Sequence, residues 1–161
     1  MLEKIEKYKP AENYNKSVYG SEIADLVKKH DLALEQGRVY HLSVHNNISI
    51  LNPSIPAEEI VDGKIVWDDD LDFSKNSEAV CFGNDISKNL EHNPIKKGYI
   101  YAPKSTKGFR RFYAEAAQAD EWLDSAIVGE VRSSKSVEVE KVGEFEMMPT
   151  KEGLKPEIKW Y

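Results

Sequence analysis

Two residues apart on the chain, His41 and Ser43 share one face of any extended segment, because strand side chains alternate at period two. That face carries an imidazole beside a hydroxyl, a pair able to hold a polar ligand. A second segment, Val80-Cys81-Phe82-Gly83-Asn84-Asp85-Ile86-Ser87-Lys88, places an aromatic ring before a turn and a serine at the start of a helix. A third, Ala119-Asp120-Glu121-Trp122-Leu123, offers a carboxylate. Each also has a plainer reading: His41 as a strand histidine bonded to backbone, Ser87 as a first-turn residue satisfying an amide, and Glu121 as the exposed end of a helix.

Cys81 lies between Val80 and Phe82, an apolar setting that keeps a thiol protonated and sets aside a Cys–His nucleophile with His41. His30 and His92 fall on predicted helices as structural or solvent-facing residues, while His45 sits in a polar His-Asn-Asn turn. The Asp68-Asp69-Asp70 run lacks the glycine and distal glutamate of a calcium loop, so it reads as a solvated charged loop, and no metal is expected. A Gly-rich phosphate loop, paired zinc cysteines, His-Glu-x-x-His and Gly-x-Ser-x-Gly are all missing.

Taken together, Tyr40-His41-Leu42-Ser43, the Phe82 to Ser87 spacing and a later carboxylate resemble the ADP-ribosyltransferase-like superfamily over about residues 38–131. The resemblance implies that NAD is the substrate, that His41 bonds its ribose and that Ser43 is a second polar contact. It also implies that Phe82 and Tyr99 offer aromatic surface near the nicotinamide, that Ser87 bonds the carboxamide and that Glu121 is the catalytic carboxylate. Glu130 is a rival for that last role. Cleavage of the glycosidic bond builds positive charge on the ribose, which a fixed carboxylate stabilises.

The elements that must position these residues can be read in outline. Ser21 is a plausible N-cap for a helix to about Gln36, with Ile23, Leu26, Val27 and Leu34 near one stripe and Gly37 as its stop. Residues 1–20 read as a surface arm or partly disordered segment, and 21–161 as a single domain. Strands are expected over Arg38–Ser43, Ile48–Leu51, Glu78–Phe82 and Gly98–Ala102, with Asp85 capping a short helix to about His92. From Ile127 a meander is expected, with strands Ile127–Val131, Val137–Val142 and Phe145–Met148 and a turn at Ser133-Ser134-Lys135. The class is α+β, with a mixed or antiparallel sheet, an N-terminal helix and a C-terminal β-meander.

A chain of 161 residues with 40% hydrophobic and 31% charged residues has the composition of one folded domain. One cysteine and a polar start point to the cytoplasm, and no apolar run approaches the roughly 20 residues of a membrane span. The net charge of -6 argues against a general nucleic-acid surface. Acidic residues concentrate between Ala57 and Asp72, read as a long acidic loop or lid, and basic ones from Lys96 to Arg111. Mixed with Tyr99, Tyr101, Phe109, Phe112 and Tyr113, the basic stretch suits base stacking or plain core. The alternative function is a non-enzymatic interaction protein of viral or mobile-element type that binds a host protein through the acidic loop or basic patch.

Overall fold

A glycine ends the first helix as expected: α1 (Lys16–Glu35) stops before Gly37, which takes a φ of 70°. The start differs, because the helix begins five residues before Ser21 and takes in the end of the expected arm. A serine and a glycine inside a helix lower its stability without terminating it. The computed structural model describes residues 16–53, 58–67, 80–92, 95–112 and 126–161.

Among the described residues, ten strands and two helices follow one another as α1, β1 (His41–Ser43), β2 (Ile48–Asn52), β3 (Glu58–Val61), β4 (Lys64–Trp67), β5 (Val80–Phe82), α2 (Ile86–His92), β6 (Lys97–Pro103), β7 (Arg110–Arg111), β8 (Val131–Ser133), β9 (Val137–Thr150) and β10 (Gly153–Trp160). The described protein is thus α+β, and all its strand pairs are antiparallel. The larger sheet runs β1-β6-β9-β2-β3-β4, with β10 also on β9, and β5-β8-β7 form a second, smaller sheet. A bridge between Tyr40 and Gly83 joins the two.

The acidic stretch is the first correction. Residues 58–67 form the hairpin β3–β4, not a loop, and its turn is Asp62-Gly63 with φ of 49° and 77°. An Asp-Gly pair between two hydrophobic segments, here Ile60-Val61 and Ile65-Val66, is the strongest short-range hairpin signal, since both turn positions need positive φ. The rest of the expected loop, Ala57 and residues 68–72, lies outside the described residues, as do Glu78 and Ala79 of the expected strand.

The C-terminal meander is the second correction. The first of its expected strands falls later, at Val131–Ser133, and pairs with β5 and β7 instead of β9. The second and third are one strand, β9, of 14 residues. Its apparent break at Val142-Gly143 is a β-bulge: Ile100 pairs with Gly143 while the next residue, Tyr101, pairs with Lys141. An extra residue in one strand exchanges its faces. Val137 and Val139 therefore join one core cluster and Phe145 another, although all three are odd-numbered.

Those clusters cover opposite faces of the sheet. Leu34, Val39, Ile48, Leu51, Phe82, Tyr101 and Phe109 pack with Val137 and Val139 on one, and Leu42, Ile86, Leu90, Ile95 and Ile100 pack with Phe145 on the other. Strand alternation puts His41 and Ser43 on the first face, beside Tyr101 and Tyr99, their Cα partners on β6. Gly98 lets β6 lie close to β1, because a Cβ there would sit 2.5 Å from the Ser43 carbonyl oxygen.

Candidate functional site

The period-two pair meets a carboxylate from a distant strand. His41 Nε2 donates to Glu59 Oε1 at 2.7 Å, and Ser43 Oγ donates to Glu59 Oε2 at 2.7 Å. Glu59 is fully buried, as is Ser43, and His41 is 5% exposed. Along the sheet, β1 and β3 stand four steps apart, which in a flat sheet would separate them by roughly 19 Å. The sheet therefore curls until the inward faces of the two strands touch.

Further bonds fix the constellation. His41 Nδ1 lies 3.4 Å from the Cys81 carbonyl oxygen, so both ring nitrogens face acceptors. The Phe82 ring sits edge-on to the imidazole at 6.1 Å between centroids. Ser43 Oγ accepts the His45 N–H at 3.0 Å, while the Tyr101 hydroxyl donates to the His45 carbonyl at 2.6 Å and accepts the Ile48 N–H at 3.3 Å. Burial pushes the Tyr101 phenol up to about 12, so it remains a donor across the physiological range.

This arrangement is not a serine-hydrolase triad. In such a triad the hydroxyl gives its proton to the imidazole, whereas Ser43 directs its own to Glu59. What the three groups offer is a carboxylate with both oxygens held by fixed donors. Such a group can stabilise developing positive charge without reorganising.

The remaining residues singled out in the sequence do not all converge. Phe82 is buried in the core, and Tyr99 is half-buried with the Lys141 ammonium 5.2 Å from its ring centroid. Lys141 also donates to Asn46 Oδ1 at 2.5 Å. Ser87 is exposed in the first turn of α2, where Asp85 caps the helix by accepting the Lys88 N–H at 3.0 Å. That helix packs Ile86 and Leu90 on the Leu42 side of β1, the face opposite His41. Glu121 lies outside the described residues. Its rival Glu130 pairs with Arg132 at 3.1 Å, and the Arg132 guanidinium in turn covers the Phe112 ring at 3.2 Å.

The other candidates resolve in the same way. Burial pushes the Cys81 thiol far up, which leaves no thiolate for nucleophilic attack. His30 is buried and donates Nε2–H to the Ala126 carbonyl at 2.5 Å. In the basic stretch, β6 separates Lys97 from Lys104 by roughly 23 Å, and Arg111 is buried against Asp31 at 3.3 Å. The stretch is therefore no single patch, and its Tyr101 and Phe109 are core. Among the described residues no cluster of three His, Cys, Asp or Glu side chains is arranged to hold a metal, and no helix is long and apolar enough to cross a membrane.

Glu59 is the residue that sequence reasoning missed. It stands among seven acidic residues and reads as solvated charge, whereas the signal that could have found it is the Val61-Asp62-Gly63-Lys64 turn. A hairpin there makes residues 58–61 a strand, and alternation then turns Glu59 inward. No protein-family model matches the chain, and no curated protein or solved structure does.

Proposed function

We propose that the chain is an ADP-ribosyltransferase-like protein that binds NAD or a related nucleotide and transfers ADP-ribose to an acceptor. The observation that carries the reading is the convergence of His41 and Ser43 on a carboxylate fixed through both oxygens. A ribose entering this site would share the His41 and Ser43 donors with Glu59. Still held by them, the carboxylate would face the anomeric carbon and stabilise the oxocarbenium-like charge there. Glu59 thereby joins Glu121 as a candidate catalytic residue, and Tyr99 with Lys141 would border the nucleotide.

Thermal denaturation with NAD and with ADP-ribose tests the reading, since a ligand at a hundred times its Kd adds about 2.7 kcal/mol. A rise in Tm that Ser43→Ala diminishes is expected, and no rise at millimolar nucleotide sinks the proposal. Single-turnover release of nicotinamide separates the carboxylates. Glu59→Gln should keep binding and lose turnover, and if it does not while Glu121→Gln does, the role returns to Glu121.

The second reading, a non-enzymatic interaction protein of viral or mobile-element type, is favoured by the β9–β10 hairpin. Beyond Met147, whose N–H bonds the Lys96 carbonyl at 2.7 Å, that hairpin continues past the end of β6 with Met148 and Leu154 exposed.

A further inference from the structure

Strand β10 has one edge on β9 and, among the described residues, no strand on the other. The direction of its backbone groups follows from a single bond, the Tyr161 N–H to the Val142 carbonyl at 3.0 Å. Antiparallel alternation then turns Lys159, Glu157 and Lys155 toward β9 and leaves the backbone groups of Trp160, Ile158 and Leu154 on the outer edge. Pro156 belongs to this outer set, where its missing N–H is tolerated.

Side chains on the two faces of the strand differ in kind. Leu154, Pro156, Ile158 and Trp160 form an apolar row, of which Ile158 packs on the core beside Phe145 while Trp160 meets Tyr40 at 5.3 Å and stays 50% exposed. Lys155, Glu157 and Lys159 form an alternating charged row, and Glu157 stands opposite Glu146 of β9, a like-charge pair.

We propose that the outer edge of β10 pairs antiparallel with β10 of a second copy of this chain, about a two-fold axis at Ile158. Each Ile158 exchanges both backbone bonds with its twin, and each Trp160 N–H donates to the other copy's Pro156 carbonyl. In this register the Trp160 carbonyl faces the other copy's Pro156, so each outer pair makes one bond where two are usual, while the central pair makes both. Centring the axis on Pro156 would leave both central bonds unmade. On the charged face Glu157 meets Lys159 of the other copy twice over, which offsets the Glu157–Glu146 repulsion. On the apolar face the exposed Trp160 ring covers Pro156 of the other copy. An isologous contact of this kind closes as a dimer, because the β10 edge of each copy is taken up by the other.

Sedimentation of the full chain from roughly 10 µM to roughly 1 mM, with amide exchange at the higher concentration, tests the arrangement. A concentration-dependent dimer is expected, with Ile158 and Trp160 amides protected only in the dimer. Glu157→Lys and Lys159→Glu should each weaken association by about tenfold, because every reversal acts twice across the axis, and the double exchange should restore it. Circular dichroism of these surface variants should be unchanged. A chain that stays monomeric at the highest concentration overturns the proposal. So does a dimer indifferent to either reversal, or one in which Glu157→Lys is rescued by Lys155→Glu instead, the signature of the Pro156 register.

Discussion

Removing the Glu59 side chain would leave two buried donors, on His41 and Ser43, without their acceptor. Losing one partner of a buried charged hydrogen-bonded set costs more than the set contributes when intact. Glu59→Ala is therefore expected to lower urea-derived stability by about 3 kcal/mol, and Ser43→Ala by about 1 kcal/mol, since the smaller change leaves the Glu59–His41 bond in place. His30 makes a different prediction. Burial holds its pKa below 6.5, so the unfolded chain takes up the proton first as pH falls. Its contribution is present above pH 6.5 and is lost as pH drops through the lowered folded value. Melting curves across that range should show Tm falling on acidification, with a shallower fall in His30→Gln.

At the scale of the elements, β1 is held to β6 by a close approach at Gly98, and a methyl group there would press on the Ser43 carbonyl. Gly98→Ala should cost about 1–3 kcal/mol, read from its denaturation midpoint, and should diminish any nucleotide-dependent rise in Tm by shifting β1. How much of this was legible in the sequence depends on the element. The stop of α1 at Gly37, the cap of α2 at Asp85 and the positions of β2, β5 and β6 follow from local chemistry, in which one residue type meets one backbone need. His41 and Ser43 stand out as a pair because period two is a local rule. Their partner does not, because nothing local ties Glu59 to β1. That link exists only through the curl of the sheet. The single long β9 looks like two strands in the sequence for a related reason: a bulge resembles a break in alternation, and only the pairing with β6 shows that the strand continues.

Across the whole molecule, the His41–Glu59–Ser43 network ties the far edge of the sheet back to its beginning. If it is the tie, Glu59→Ala should speed amide exchange throughout β3–β4 while leaving the β6–β9 ladder protected, and uniform acceleration would show instead that the protein opens as one unit. The bulge at Val142 acts at the same scale. It is the point where odd-numbered residues of β9 pass from one core to the other, and every residue of β10 takes its face from the part of β9 that follows. Deleting Val142 would restore a regular ladder and turn Phe145, Met147 and the β10 row they accompany to the wrong side. During divergence this stretch can therefore exchange residues freely but not change its length by one, so gaps among descendants of this chain should collect at the β9–β10 turn and not within β9.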